Sequence, residues 1–290
     1  MQIKSVISSN SSLPMASQDS NLAKYILISI SIIFLGIFLI LPLVVVFKQA
    51  LEQGWNVYIK ALSDSEALSA IKLTLLTLII VLPLNTIFGL FAAWCLSKFI
   101  FKRKALLMTL IDLPFSISPI VVGLMYVLLF GRNGWFGEWL INHDFKVIFA
   151  LPGIVLGTLF VTMPFVAREL LALMQTQGKE EEEASIILGA NGLQTFWYVT
   201  LPNIKWSLLY GIILCSARAI GEFGAVSVLS GHIRNQTNTV PLHIEILYNE
   251  YNFTGAFAVA SLLTILALIT LIIKNWLEHM NREDLSPINK

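Results

Sequence analysis

Six apolar segments, each long enough to cross a lipid bilayer, constrain the fold of this chain more than any other feature. A membrane-spanning helix needs roughly 20 predominantly apolar residues. Backbone groups in hydrocarbon must be hydrogen-bonded within a helix or a closed barrel, and barrel strands would be shorter and would alternate in polarity. We therefore predict an all-α polytopic membrane protein with six transmembrane helices. The segments lie at about 22–47, 71–97, 105–130, 147–173, 206–230 and 254–275.

Composition places the chain among membrane proteins. Hydrophobic residues make up 56% of its 290 residues and charged residues only 13%, against about 25% charged residues in an ordinary soluble domain. The net charge of +1 gives no reason to expect a nucleic-acid partner. Cys95 and Cys215 both lie inside apolar segments, so the sequence indicates neither a disulfide framework nor a cysteine metal site.

Hydropathy divides the chain into three parts. A polar tail, residues 1–21, is followed by a transmembrane domain, residues 22–275, and by a second tail, residues 276–290. The apolar run Leu22–Phe47 is too long for the core of a signal peptide. We therefore expect a retained first span and not a cleaved leader.

The distribution of lysine and arginine predicts the orientation, because cytoplasmic loops are enriched in these residues. With the N-terminus inside, the inner segments carry twice as many of them as the outer segments, and the tight cluster from Lys98 to Lys104 carries most weight. We predict that both termini and the loop 176–205 are cytoplasmic.

A short acidic helix is predicted within that loop. Glu180 to Glu183 form its first turn, where the helix dipole favours negative charge. Ala184, Ile187 and Leu188 follow at helical spacing on one face, and the stretch 189–192 ends the helix. A helix of about two turns is marginal alone in water. It is either docked by its apolar face in a groove on another protein or part of a solvated loop whose glutamates confer solubility.

Arg218 and Glu222 are charged residues inside the fifth segment. Arg218 lies twelve residues beyond Trp206, which is roughly 18 Å into the span. Glu222, four residues later, shares its face and can pair with it. Two interpretations stay open: Arg218 helps an oxyanion across, with Gly221 and Gly224 exposing backbone N–H groups, or the pair locks the span to a neighbouring helix.

Asp112 is a further acid within the apolar segments. It immediately precedes the Leu113-Pro114 step. An acid close to a proline is typical of the N-cap of a helix that restarts after a break. We expect Asp112 to be such a cap, and the alternative is an ion site.

The acidic loop resembles the cytoplasmic loop of permeases from ABC importers. The chain carries Glu183-Ala184-Ser185, then Gly189, then Val199-Thr200-Leu201-Pro202, and the family pattern is Glu-Ala-Ala, three residues, Gly, nine residues and Ile-x-Leu-Pro. Ser185 and Val199 are mild departures. In the family this loop is the coupling helix that seats in the ATP-hydrolysing subunit. The resemblance implies that the coupling residues are Glu183, Ala184, Ser185, Gly189, Leu201 and Pro202.

Other segments narrow the resemblance to sulfate/thiosulfate permeases. Residues 110–119, 217–224 and 231–234 are similar to that family, and residues 239–248 resemble its CysW-type subunit more than the sister permease. The likeness is close over about 107–265. Molybdate permeases share the Arg-Ala-x-Gly-Glu-Phe-Gly pattern of residues 218–224, so another oxyanion is an alternative substrate.

The resemblance implies a MetI-like permease fold, a bacterial inner-membrane location and a defined set of partners. These are a CysT-type sister permease, a homodimer of ATP-binding subunits and a periplasmic sulfate-binding protein, besides the lipid bilayer. ATP and magnesium would be bound by the ATPase, so no cofactor is expected in this chain.

Enzyme signatures are missing from the sequence. It contains no G-x-x-x-x-G-K-[ST], no H-E-x-x-H and no G-x-S-x-G, and His143, His232, His243 and His279 have no ligand spacing. We predict no catalytic residue and no metal site. A secondary transporter or a channel is the alternative from another class, although the repeated halves common in secondary carriers are not visible.

Overall fold

The computed structural model describes residues 21–285, with side chains described for residues 24–277. The predicted N-terminal tail, apart from Asn21, and residues 286–290 lie outside this range. Every regular element within it is helical, including two π-helical turns at Gly36–Ile40 and Phe196–Thr200. The α-helices are α1 (Asn21–Leu35), α2 (Leu41–Leu51), α3 (Trp55–Leu62), α4 (Ser65–Lys98), α5 (Lys104–Ser116), α6 (Pro119–Phe130), α7 (Gly137–Asn142), α8 (Leu151–Gln177), α9 (Glu180–Ile187), α10 (Gly192–Thr195), α11 (Leu201–Ile220), α12 (Gly224–Ser230), α13 (Val240–Asn249) and α14 (Phe253–Leu285).

The predicted all-α architecture is confirmed, and the apolar segments divide into continuous and broken helices. Four helices in the described range are long and apolar enough to cross a membrane: Lys24–Leu51, Ser65–Lys98, Leu151–Gln177 and Phe253–Leu277. Two further helix pairs are long and apolar enough to cross a membrane only if both helices of a pair are counted as one span. The pair α5–α6 bends by 106°, and the pair formed by Gly192–Ile220 and α12 bends by 51°. Six crossings result if each bent pair counts as one span.

The first apolar segment forms a compact unit of its own, which ends at Val46. Helix α1 continues through the π-helical turn at Gly36–Ile40 into α2. None of the most apolar window of this span is buried. An apolar helix without a buried face is typical of a segment that lies in lipid.

The second unit, from Phe47 onward, is centred on α4, α8 and α11. Its main core cluster joins Ala93, Val166, Leu170 and Cys215 from these helices. A Cβ atom on Gly89 of α4 would lie 2.7 Å from the Val166 side chain of α8, so the two helices approach closely at this glycine. Small residues at such crossings are typical of membrane helix pairs, which gain stability from close van der Waals packing.

The two broken helices pack against each other. A Cβ atom on Gly123 of α6 would lie 2.8 Å from the Val228 side chain of α12, and one on Gly224 would lie 2.8 Å from Cβ of Pro119. Pro119 begins α6, and the preceding residues Ile117 and Ser118 have ψ near +130°. The break follows because a proline disfavours helical geometry in the residue before it.

Helix α4 spans the second unit and connects its two ends. Near its start, the Thr74 hydroxyl accepts a hydrogen bond from the backbone N–H of Val240 at 2.9 Å. At its other end, Lys98 contacts the acidic helix α9. At the α13 end, Arg234 forms ion pairs with Glu66 and Glu250. The acidic loop and the segment 231–250 therefore lie at opposite ends of α4.

Candidate functional sites

The predicted acidic helix is present as α9. It covers the eight residues Glu180–Ile187, and all four glutamates lie in its first turn. The helix ends at Ile187 with Leu188 as its C-cap, and Gly189 follows with a φ of +94°. Glycine suits this left-handed backbone because a Cβ atom would be strained there. The predicted length of about two turns is confirmed.

Glu182 anchors α9 to the end of α4. Its carboxylate lies 2.9 Å from the ammonium of Lys98, and the side chains of Lys98 and Glu182 are only 11% and 18% exposed. The Thr200 hydroxyl donates to the same carboxylate at 2.8 Å, and Lys98 also donates to the backbone carbonyl of Gly178 at 2.8 Å. This polar network joins α4, α9 and the turn that leads into α11, so these three elements are mechanically connected.

The segment after α9 is folded back onto it by local polar contacts. Asn191 and Gln194 form a reciprocal capping box at the start of α10. The hydroxyls of Ser185 and Thr195 lie 2.8 Å apart, and Phe196 stacks on Trp94 of α4 at a centroid distance of 5.0 Å. The motif residue Ser185 thus has a structural contact within the loop.

The exposed side chains of this loop include one carboxylate and several large apolar groups. Glu183 is exposed, and Ile187 and Leu188 are 84% and 88% exposed. Leu193 and Tyr198 are exposed as well. We call this set (Glu183, Ile187, Leu188, Leu193 and Tyr198) the outer loop surface. Ile187 lies one helical turn after Glu183 on α9, and exposed apolar patches on a protein surface are typical of interaction sites.

Leu201 and Pro202 begin α11 at the inner side of the loop. Pro202 lies in the first turn of α11, directly after the π-helical turn Phe196–Thr200. Leu201 packs against the main core cluster that contains Met174 and Ile204. These two motif residues therefore connect the loop to the transmembrane core.

Arg218 and Glu222 pair as predicted, across the break that follows α11. The guanidinium lies 2.5 Å from the Glu222 carboxylate, and the Glu222 side chain is only 1% exposed. The other carboxylate oxygen accepts a hydrogen bond from the backbone N–H of Ala225 at 2.9 Å, in the first turn of α12. The pair therefore stabilises the bend within one broken helix, and among the side chains that the structure describes its polar contacts stay within that helix.

Gly221 and Gly224 flank this break and differ in their surroundings. A Cβ atom on Gly221 would meet only the carbonyl oxygen of Ala217, at 3.8 Å, whereas one on Gly224 would clash with Pro119. Gly224 is thus required for the packing of α12 on α6. A role of either glycine in exposing N–H groups to an anion stays a prediction.

The prediction that Asp112 caps a restarting helix is wrong. Asp112 lies inside α5, and the next helix begins after Ser118. Its carboxylate instead accepts two hydrogen bonds, both at 2.6 Å, from Nε and Nη2 of Arg168 in α8. A helix boundary was inferred from Pro114, but this proline is accommodated within α5 and the chain breaks at Pro119 instead.

Comparison with known proteins identifies the family. The family model described as "Binding-protein-dependent transport system inner membrane component" matches residues 85–282. The chain belongs to this family. The matched range begins within α4 and includes the acidic loop and both broken helices.

Three proteins that match this permease over most of its length are named as sulfate permeases. It is 50% identical over 96% of its length to the "Sulfate transport system permease protein CysW" of Synechococcus elongatus, covering 93% of that protein. It is 48% identical to the protein of the same name from Escherichia coli, with 89% of each chain covered. Identity to the Escherichia coli "Sulfate transport system permease protein CysT" is 35%, over 86% of this chain and 90% of that one.

A bacterial alginate ABC transporter, in complex with an alginate pentasaccharide-bound periplasmic protein, has a chain of similar fold. The TM-score is 0.71 at 18% identity, with 92% of this permease and 96% of that chain covered. The predicted permease fold is confirmed, and this member of the family is a multi-pass membrane protein.

Sequence reasoning missed the roles of Glu182 in the acidic loop, of Lys98 at the end of α4 and of Arg168 in α8. It selected Glu183 from the motif, whereas Glu182 makes the buried contacts with Lys98. It used Lys98 only as a marker of orientation, and it did not connect Arg168 with Asp112. No spacing in the sequence relates residues 56 or 84 positions apart, so these pairs are visible only in the folded chain.

Proposed function

We propose that this permease is the CysW-type subunit of an ATP-driven importer for sulfate or thiosulfate, in which it forms half of the translocation pore. The observation that carries the proposal is the identity to two full-length CysW proteins, which exceeds the identity to CysT. Its sister permease would be a CysT-type subunit, since the two relatives carry the names of paired subunits of one transport system.

The outer loop surface is the proposed contact with the ATPase. Ile187 and Leu188 are almost fully exposed, and a two-turn helix gains stability by docking such a face in a groove. Glu183 lies on the same surface and adds a charge that sets the orientation of the contact. The groove belongs to a homodimer of ATP-binding subunits, which binds ATP and magnesium, so this chain contributes no cofactor ligand.

Movement of the ATPase would reach the pore through the polar network at Glu182. Lys98 and Thr200 connect that carboxylate to α4 and to the start of α11. Leu201 and Pro202 continue the connection into the core. ATP binding can shift the pore between two states only if the ATPase binds the loop differently in each of them.

The proposed orientation follows from the same contact. An ATPase that docks on α9 places the acidic loop on the cytoplasmic side of a bacterial inner membrane, with both termini on that side. The segment 231–250, at the other end of α4, then faces the periplasm. A periplasmic sulfate-binding protein would deliver the substrate there.

Uptake of radiolabelled sulfate into proteoliposomes that contain the full complex tests the proposal. Wild-type complex is expected to accumulate sulfate only when ATP is present. Glu183→Ala/Gly189→Asp is expected to abolish uptake together with ATPase binding, because it removes a charge of the outer loop surface and strains the backbone at φ +94°. Glu138→Ala in α7, which removes an exposed carboxylate outside the loop, is the control and should transport normally.

Two results would contradict the proposal. Sulfate flux of equal rate without ATP would indicate a channel or a secondary carrier. ATP-driven uptake of molybdate with no uptake of sulfate or thiosulfate would retain the importer and assign it another oxyanion.

A further inference from the structure

Asp112 and Arg168 form an ion pair that is unusually accessible for its position. The two side chains are 33% and 58% exposed, although both helices belong to predicted transmembrane segments. The guanidinium also lies over the ring of Phe115, with 5.5 Å from Cζ to the centroid, and Phe115 makes an edge contact with Phe165. The pair therefore sits on a surface of α5 and α8 that is open in the isolated chain.

The depth of the pair argues against contact with lipid. Asp112 lies eight residues beyond Lys104, the end of a basic cluster, and this corresponds to about 12 Å along α5. Arg168 lies ten residues before Gly178, where α8 ends, or about 15 Å along that helix. Helix α8 is about 40 Å long and a hydrocarbon core about 30 Å thick, so with equal overhang at both ends Arg168 lies about 10 Å inside the core. Exposed charges at this depth are costly in lipid, so they face the bundle interior or a water-filled path.

A small, mostly apolar cavity with a few polar side chains lies beside the pair. Its volume is about 170 Å³, and it is lined by Asp112, Arg168 and Gln175 together with apolar side chains that include Met108 and Ile111. Gln175, two helical turns beyond Arg168 on α8, adds an amide to this lining. A site with one arginine, one amide and apolar walls suits a small oxyanion that enters from water.

Another anion could replace Asp112 on Arg168 without breaking a backbone hydrogen bond, whereas Glu222 could not be displaced in this way. Within the described side chains, the recorded partners of the Asp112 carboxylate are two nitrogens of Arg168. Glu222 is instead buried, and it also accepts a backbone N–H at the start of α12. Displacing Asp112 from Arg168 would thus leave the backbone hydrogen bonds intact, whereas displacing Glu222 would release a helix terminus.

We propose that Arg168 contacts the oxyanion in the inner half of the translocation pathway, and that Asp112 occupies the guanidinium when no anion is present. Two oxygens of a tetrahedral dianion replace the two carboxylate oxygens on Nε and Nη2, since this edge of arginine binds both kinds of group bidentately. The inference rests on the proposed function as an oxyanion importer, and it assigns the anion contact to residues outside the acidic loop and the 218–224 motif.

Neutral variants of the pair in the reconstituted complex test the proposal. Arg168→Gln is expected to reduce ATP-driven sulfate uptake at least about tenfold, the loss of one charge-assisted contact. Asp112→Asn should lower the sulfate concentration that gives half-maximal uptake severalfold, because it removes the carboxylate that competes for Arg168. The double variant Asp112→Asn/Arg168→Gln leaves no unpaired charge and should remain as impaired as Arg168→Gln alone.

Recovery of uptake in the double variant to the wild-type rate would overturn the proposal, because it would show that the pair only joins α5 to α8. Wild-type uptake by Arg168→Gln would overturn it as well. Absence of ATP-driven sulfate uptake in the wild-type complex would instead overturn the proposed function, so the two failures can be told apart.

A second measurement keeps the native pair intact. Gln175→Cys, which lines the cavity, is treated with a negatively charged, membrane-impermeant thiol reagent, with Leu110→Cys as the matched control. Leu110 is 49% exposed and belongs to the same helix as Asp112, but it does not line this cavity. We expect modification of Gln175→Cys alone, and we expect sulfate to slow it severalfold relative to chloride at equal ionic strength. No modification, or no protection by sulfate, would contradict an anion pathway at Arg168.

Discussion

At the scale of single residues, the position of the acidic helix α9 depends more on buried polar groups than on the exposed motif residues. Glu182 and Lys98 are nearly buried and paired, and the hydroxyl of Thr200 completes the carboxylate's contacts. Glu183, the acid of the family motif, is exposed. The two neighbouring glutamates therefore differ: Glu182 holds α9 in place, and Glu183 lies on the exposed surface where we propose the ATPase contact.

Lys98→Met is expected to destabilise the permease by about 2–4 kcal/mol, because it leaves the Glu182 carboxylate without its cation in a largely buried position. Thermal unfolding of the complex in nanodiscs measures this effect. Lys102→Met, which removes an exposed cation from the same basic cluster, should change stability little. Lys98→Met/Glu182→Leu should recover much of the loss, and failure to recover it would contradict the role of the pair.

His243 gives stability a dependence on pH. Its side chain is 2% exposed, and burial lowers its pKa below the usual range, with Glu66 and Asp64 opposing the effect only in part. Because the folded-state pKa lies below the unfolded value of about 6.5, the contribution of the neutral imidazole is complete above that pH. It is lost as the pH falls from about 6.5 toward the folded-state pKa.

The stability of the wild-type complex is therefore expected to decrease below pH 6.5 more steeply than that of His243→Gln. The difference in slope is at most about 1.4 kcal/mol per pH unit for one proton. Melting temperatures between pH 5 and pH 8 measure it, and His143→Gln at an exposed position is the control. Equal slopes for wild type and His243→Gln would assign the pH dependence to other groups.

At the scale of elements, the two broken helices depend on each other. Helices α6 and α12 begin at their respective breaks and pack closely through glycines. A broken helix in a membrane leaves backbone groups that are tolerated only against protein or water. Because Gly224 contacts Pro119, the two breaks lie side by side and each is packed against protein.

Gly224→Ala is expected to destabilise the permease by about 1–3 kcal/mol, because a Cβ atom 2.8 Å from Cβ of Pro119 forces the two breaks apart. Gly221→Ala is the matched control, since its Cβ atom would meet only the Ala217 carbonyl oxygen at 3.8 Å. Thermal unfolding and sulfate uptake are measured for both. A larger effect of Gly221→Ala would favour a direct role of that backbone in the pathway.

At the scale of the whole molecule, α4 determines which segments lie on the same side of the membrane. Its last turn holds the acidic loop through Lys98, and its first half holds the segment 231–250 through Thr74. Helix α8, about 40 Å long by its 27 residues, separates the loop 131–150 from the acidic loop in the same way.

Single cysteines should therefore report opposite sides. Leu188→Cys is expected to react with an impermeant thiol reagent only in inside-out vesicles, and Trp135→Cys only in right-side-out vesicles. Both positions are 88% exposed. The native Cys95 is half-buried and Cys215 is buried, so we expect little labelling of these two cysteines. Bound ATPase should protect Leu188→Cys. Reaction of both variants from one side would contradict the proposed topology.

Hydropathy and short-range spacing were enough to predict the helical class, the apolar segments, the two-turn helix at Glu180–Ile187 and the pairing of Arg218 with Glu222. Each of these depends on hydropathy or on a spacing of a few residues, which short-range backbone geometry converts directly into structure. Tertiary structure alone decided that Glu182 is the anchored acid and that Asp112 pairs with Arg168. Those outcomes depend on which helix faces are brought together over many turns of chain, and local propensity carries no information about such contacts.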